Sequence, residues 1–340
     1  MGVKNTVSMQ TLADELAISK VTVSKALNGK DGVSEELKKK IFETADKYGY
    51  VLRDYGKRRT RKIAIVMSKR FNSGDDGKFY MGMYDRIISE FGKHSCSSVM
   101  LTPDRNTLAA DLKMLSAPGA FDGLILLGIL ESDVERRLDA VDLPKVYVDV
   151  YDVTHMSDSV VTENIYSTYE LTDFLIQKGH REIGFVGTVG MGSTTSITDR
   201  YLGYLRRLLE QGITPREEWL IPDRDEEGKA IRLEVPEKLP TAFVCNCDET
   251  AFRFVKELRV KGLQVPDDIS IVGFDDSVYA RLSDPPLTTV AVDVDQLGRT
   301  AVKKILKYME HPEKKGGEVI RIPGKIVYRN SVREIGWKSF

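Results

Sequence analysis

From Lys62 onward the chain alternates short β-rich runs with amphipathic helical ones, and no other feature limits its fold so strongly. The β-rich runs are Ile63–Met67, Ser98–Leu101, Leu124–Gly128, Lys145–Asp149, Ile183–Gly187, Thr241–Asn246 and Ile269–Phe274. Helical patterns lie between them, for example at Tyr80–Phe91, Tyr166–Lys178, Arg200–Gln211 and Glu249–Lys261. A helical crossover carries the chain back to the end of the sheet where the previous strand began, so strands joined this way run parallel. Residues 62–340 are too many for one such sheet and its helices, which predicts two α/β units. In open parallel sheets ligands sit beyond the carboxyl ends of the strands, so the loops that follow strands are the places to look for a site.

The first sixty residues differ in charge and in pattern. The whole chain carries a formal net charge of −1, but residues 1–61 hold 13 Lys and Arg against 8 Asp and Glu, leaving 37 against 43 for the rest. A basic block on an acidic body is an electrostatic layout suited to nucleic acid, although an excess this small is also an ordinary solvated surface. Three short helices are predicted between Val7 and Tyr50. The first runs near Gln10 to Ala17 with Leu12, Ala13 and Leu16 on one side, and Ser19 is a suitable N-cap for the second. The third starts after Ser34, with Glu35 and Glu36 in its first turn and Leu37, Ile41, Ala45 and Tyr48 along one face.

The second helix, "KVTVSKALN", is the informative one. At 100° per residue, Lys20, Val21, Ser24, Lys25 and Asn28 fall within an arc of about 140°, opposite Thr22, Val23, Ala26 and Leu27. Two helices joined by a tight turn with a third packed behind make a helix-turn-helix, whose second helix enters the DNA major groove. One face then docks on the other helices. The other offers Lys donors to guanine edges, Ser and Asn to phosphates, and Val21 to a thymine methyl.

The stretch "LADELAISKVTVSKALNGKDGVSEELKKKIFETADKYGY" resembles the headpiece of the lactose-repressor (LacI/GalR) family of bacterial regulators, through its Ser-x-x-Thr-Val-Ser-x-x-Leu-Asn-Gly core and closing Gly-Tyr. The resemblance implies Lys20, Val21 and Lys25 as base readers and Ser8, Thr22, Ser24, Asn28 and Tyr50 as phosphate contacts. Ala17 stands where the family usually has Gly, and a left-handed non-Gly residue there costs about 1 kcal/mol. The linker "VLRDYGKRRTR" looks shorter than the family's hinge, holds Gly56, and lacks the Leu that wedges into the minor groove. It is expected to bind DNA through Lys57, Arg58, Arg59 and Arg61 with little or no wedge-driven kink.

The likeness extends over nearly the whole chain, through "LIQKGHREIGFVG", "VPDDISIVGFDD" and "DPPLTTVAVDVDQLG". It implies an all-α helix-turn-helix headpiece at 1–50, a basic linker at 51–61, and a two-lobed periplasmic-binding-protein-like α/β core at 62–340. The N-lobe is expected at about 62–161 plus 292–320 and the C-lobe at about 162–291 plus 321–340, with three crossovers between them. It further implies a homodimer on a pseudo-palindromic double-stranded DNA operator, and a small-molecule effector, most often a sugar, between the lobes. Asp149, Arg200 and Asp275 match the polar clamps, and their chemistry suits the role, since guanidinium and carboxylates grip paired hydroxyls bidentately. Arg200 is read as opening a helix, and Phe79 or Tyr80 as either stacking on an apolar ring face or packing in the core. Where the family commonly has Asn before Asp, this chain has Cys247 before Asp248, so an amide contact to the effector is expected to be lost.

Other classes fit less well. The loop "GTVGMGSTTSITDR" matches neither phosphate-loop signature, and no Ser/His/Asp or Cys/His grouping is evident among four His, so no catalysis is expected. The loop does keep a sugar phosphate open as effector, beside a nucleobase, and an inducer is favoured over a co-repressor. Cys96, Cys245 and Cys247 fit neither a disulfide framework nor a zinc site; Cys245 and Cys247 read as small side chains on one face of a strand, and no metal or cofactor is expected. His180 reads as a structural residue at a helix end. No apolar run approaches the roughly 18 residues of a membrane span, and no leader is apparent, which predicts a cytoplasmic protein. The C-terminal "REIGWKSF" carries no Leu heptad, so no coiled-coil tetramer is expected.

Overall fold

The computed structural model describes residues 8–27, 31–48, 60–72, 75–104, 106–191, 193–311, 313 and 316–336. Two compact units divide between Thr60 and Arg61.

The first unit holds α1 (Met9–Glu15), α2 (Lys20–Leu27) and α3 (Glu35–Lys47). Its core comprises Leu12 and Ala13 from α1, Val23, Ala26 and Leu27 from α2, and Ile41 and Ala45 from α3. Each helix starts where a hydroxyl caps it. Ser8 and Thr11 form a reciprocal capping box, Ser19 Oγ accepts from Thr22 N at 3.0 Å, and Ser34 Oγ accepts from Leu37 N at 3.3 Å. The first helix stops at Glu15, two residues earlier than expected, because Ala17 takes φ +51° and no right-handed helix continues through that conformation. Ala17 thus holds a left-handed conformation at the position where the resemblance expects Gly.

The second unit runs β1 (Arg61–Met67), α4 (Asp75–Lys93), β2 (Cys96–Leu101), α5 (Leu108–Leu115), β3 (Gly123–Leu127), α6 (Ser132–Asp139), β4 (Lys145–Val148) and β5 (Asp158–Thr162). It continues through α7 (Asn164–Gln177), β6 (Ile183–Val186), α8 (Thr195–Glu210), β7 (Leu220–Ile221), β8 (Ala242–Cys245), α9 (Asp248–Val260), β9 (Ser270–Val272) and α10 (Val278–Leu282). It ends with β10 (Thr289–Ala291), α11 (Val294–Glu310), β11 (Val319–Ile322) and β12 (Lys325–Val327). The strands form a six-stranded sheet of order β11-β5-β4-β3-β1-β2 and a four-stranded sheet of order β7-β6-β8-β9, both parallel throughout, and an antiparallel pair β10-β12.

Period-two alternation explains why the central strands are apolar on every residue. In β1, Ile63, Ile65 and Met67 face α4 and α11, while Ala64 and Val66 face the layer of α5 and α6. In β8, Ala242 and Val244 face α7 and α8, while Phe243 and Cys245 face α9. The chain crosses between the sheets three times, between β5 and α7, β10 and α11, and β11 and β12. Gly203 lets α8 lie close on α7, since a Cβ there would come 2.1 Å from the Ile165 carbonyl oxygen. Among the described residues no helix is long and apolar enough to cross a membrane.

Candidate effector cleft and DNA-facing helix

On α2 the apolar side is buried and the other side is open. Lys20, Val21 and Lys25 are exposed, Val21 to 64%, and Thr22 and Ser24 are half-buried. An aliphatic side chain that open adds nothing to the headpiece core. Thr22 leans toward the helix start, its hydroxyl 2.8 Å from that of Ser19, and the Ser8 hydroxyl caps α1. Asn28, Tyr50, Lys57, Arg58 and Arg59 lie outside the described residues, as does the linker from 51 to 59. Arg61, grouped with the linker cations on sequence, belongs to the core: it opens β1 and pairs with Glu310 at 2.9 Å.

At the carboxyl ends of the two sheets lies a cavity of about 320 Å³, lined by Phe79, Asp149, Arg200, Cys247 and Asp275 together with residues that the sequence reading passed over. Asp149 follows β4, Asn246 and Cys247 follow β8, and Asp275 follows β9, so the strand ends bring them together. Gly128, at the end of β3, lets the Phe71 and Tyr80 rings close over this floor; a Cβ there would meet the Tyr80 ring at 2.7 Å.

Arg200 is the hub. Its Nε donates to Asn164 Oδ1 at 2.9 Å, Nη1 to the Asn246 carbonyl at 2.6 Å and Nη2 to Asp275 Oδ1 at 3.3 Å, and its guanidinium lies 3.8 Å from the Phe274 ring centroid. It does not open a helix. The Thr194 hydroxyl caps α8 at Ile197 N, and the helix starts at Thr195, which places Arg200 in its second turn with 6% exposure. The error came from discounting Ser and Thr, poor in helix interiors but favoured at the start.

Asp149 accepts from the Tyr80 hydroxyl at 2.8 Å through Oδ2, while its buried Oδ1 finds no donor among the described residues. Burial pushes its pKa up, and the nearby Arg200 charge opposes that rise. Asp149, Asp275 and Asp276 all hold positive φ, at +59°, +103° and +51°. Three non-Gly residues in that region around one cavity mark a backbone shaped for something other than stability. Asp248 sits behind them, taking Ser277 N and the Thr289 hydroxyl on its two oxygens; burial and the Asp275 charge raise its pKa to about 8.

Cys247 corrects the strand reading. The strand stops at Cys245, so the two cysteines do not share a face: Cys245 is core, while the Cys247 sulfur caps α9, 3.5 Å from Thr250 N, and lines the cavity. Burial raises its pKa, and it stays a thiol. Sequence reasoning also missed Lys78, Arg224, Asn246 and Tyr279 on the cavity wall. Lys78 donates to the Tyr279 hydroxyl at 2.9 Å across the mouth, and Tyr151 donates to Asp199 at 2.6 Å beside it, two direct links between the lobes. Nothing in a linear pattern pairs residues so far apart.

In the loop before α8, Thr188 N donates to the chain's own Asp223 at 2.8 Å. His180 is buried between the Thr241 hydroxyl and the Arg333 carbonyl, as a structural residue would be. Among the described residues no cluster could hold a metal ion.

A helix-turn-helix unit and a two-lobed core with a polar cleft define a ligand-responsive DNA-binding regulator. Residues 172–332 match the model of the periplasmic binding protein-like domain. Over 320 residues the chain is 29% identical to the HTH-type transcriptional regulator RegA of Clostridium saccharobutylicum, covering 90% of this chain and 93% of that one. The transcriptional regulator CelR, solved as its cellobiose complex, superposes with a TM-score of 0.67 at 22% identity over 96% of this chain and 99% of its own. The lac repressor dimer bound to operator and the anti-inducer ONPF does so with 0.66, also at 22% identity and over 96% and 99%. Over nearly its whole length the chain is similar to transcriptional regulators of the LacI family, to which its curated relatives belong.

Proposed function

We propose that this regulator represses a carbohydrate-utilisation operon and is released by a sugar or sugar-derived inducer bound between the lobes. One observation carries the effector reading: Asp149, Arg200 and Asp275 converge on one cavity, with one carboxylate oxygen still lacking a donor. A buried guanidinium flanked by carboxylates offers donors and acceptors at the spacing of adjacent hydroxyls, in surroundings where each charge-assisted bond contributes about 1.5–3 kcal/mol. Residues 1–50 then read the operator, 51–60 join them to the core, and 61–340 bind effector and a second copy of the chain. Lys20, Val21 and Lys25 are assigned to bases. Ser8, Thr22, Ser24, Asn28 and Tyr50 are assigned to phosphates, with Lys57, Arg58 and Arg59 on the backbone or a narrow minor groove.

A homodimer, one headpiece per half-site of a pseudo-palindrome, supplies the specificity that one short helix lacks. Such a protein works in the cytoplasm, where the operator is. Effector binding acts by shifting the balance between lobe arrangements. Footprinting on the upstream region of the protein's own operon, with and without a panel of sugars, tests the whole reading. A protected palindrome that one sugar abolishes is the expected result; protection that no sugar changes would remove the effector role.

A further inference from the structure

Asn246 stands at the end of β8, one residue before the expected but absent amide, and its orientation is fixed from behind. Its Nδ2 donates to Asp223 Oδ2 at 2.9 Å. That buried carboxylate also takes Arg224 Nη2 at 2.9 Å, the Thr250 hydroxyl at 3.0 Å and Thr188 N at 2.8 Å. Burial pushes the Asp223 pKa up, but Arg224 and these donors bring it down to about 2, so the group is an anion at any working pH. Turning the amide over would set its oxygen against that anion. Asn246 Oδ1 is therefore held as an acceptor; it is buried and finds no donor among the described residues.

Asp149 Oδ1, from the opposite lobe, is in the same condition, and both residues line the same cavity. The guanidinium charges beside them are already matched by carboxylates, Arg200 by Asp275 and Arg224 by Asp223. A buried acceptor with no donor is costly, so a ligand that supplies one is favoured and a ligand that brings another acceptor is rejected. We propose that Asn246, locked by Asp223, is a specificity residue of the cleft: with Asp149 it selects an uncharged polyhydroxy effector that donates to both lobes, and it rejects phosphorylated and carboxylated sugars. The inference rests on the cleft being the effector site.

The test is calorimetric titration of the full chain with D-glucose, D-ribose, D-glucitol and cellobiose, and with glucose 6-phosphate, ribose 5-phosphate and glucuronate. Wild type, Asn246→Ala, Asp223→Asn and Arg200→Ala are compared. A neutral member should bind wild type, weaken about tenfold in Asn246→Ala, and outcompete its anionic counterpart. Asp223→Asn, which keeps Asn246 but lets its amide turn, should narrow the gap between neutral and anionic ligands, and it serves if Asn246→Ala does not fold. Affinity unchanged in Asn246→Ala but lost in Arg200→Ala would leave the cleft in place and overturn the role of Asn246. Tighter binding of a sugar phosphate or glucuronate than of its parent would also overturn it. Binding that survives Arg200→Ala would move the ligand out of the cleft, and a panel with no neutral binder would remove the selection for polyols.

Discussion

The two functional regions of this regulator keep their charges in opposite conditions. On α2, Lys20 and Lys25 stand in solvent beside an exposed valine, on a helix whose other side packs against a small core. In the cleft, Arg200, Asp149 and Asp275 are buried or nearly so, fixed by partners from several elements. Solvated cations are cheap to keep ready, adapt to a partner, and are screened by salt. Buried charges are preorganised and cannot be removed one at a time without leaving a partner exposed to a low dielectric. The headpiece is thus built for adjustable contact with a polyanion, and the cleft for a fixed donor and acceptor pattern.

That contrast can be broken by experiment, and the largest effect belongs to the buried hub. Arg200→Ala strands Asp275 and should lower stability by about 3–5 kcal/mol, the usual loss when one member of a buried pair is removed. It should also abolish the response to effector while operator binding persists. Chemical denaturation and gel-shift titration read the two parts, and Arg200→Lys separates lost charge from lost geometry. A small stability loss would place the Arg200 charge closer to solvent than the cleft model requires.

Next comes the pH response of the core. Burial holds the His180 pKa at about 4, so the folded state keeps the ring neutral while the unfolded chain takes a proton below its ordinary value of 6.5. Stability is therefore complete above that value and is lost as pH falls from 6.5 toward 4, by about 3 kcal/mol in all. Denaturation curves across that window should show the slope, and His180→Asn should flatten it.

On the exposed side, Lys25→Ala should cost about 1–3 kcal/mol on the cognate operator and relax sequence preference. A loss equal on all DNA, with a shallower salt dependence, would make Lys25 a phosphate contact. The smallest effect is expected at Ala17→Gly, which relieves the left-handed turn and should stabilise the headpiece by up to about 1 kcal/mol in thermal melts. No gain there would show that the turn tolerates its Cβ.

The same contrast explains what could be read in advance. The α2 face follows from nine consecutive residues and one helical period, whereas the Ala17 turn came only from the resemblance and the periodicity ran the first helix through it. The cleft follows only in part. Asp149 and Asp275 were accessible through the family resemblance, and both lie in the loops just beyond β4 and β9. Asn246 was hidden inside the run "TAFVCNCD", whose apolar and small residues do not reveal that pairing stops at Cys245. The strands β5, β7, β10, β11 and β12 were missed; β7 holds two residues, and β10 with β12 exists only by antiparallel pairing where the chain changes lobe. Arg61 looked like one more linker cation until Glu310 was brought beside it.

By itself the sequence determined whatever depends on neighbours along the chain: the alternation that makes parallel sheets, the capped helices, and the polar side of α2. Tertiary structure alone decided which strand ends meet, which oxygens are left without donors, and that Lys78 reaches Tyr279 across the cleft. The division is physical. Periodicity and capping are properties of local backbone geometry, whereas desolvation and hydrogen-bond satisfaction depend on atoms that only packing brings together.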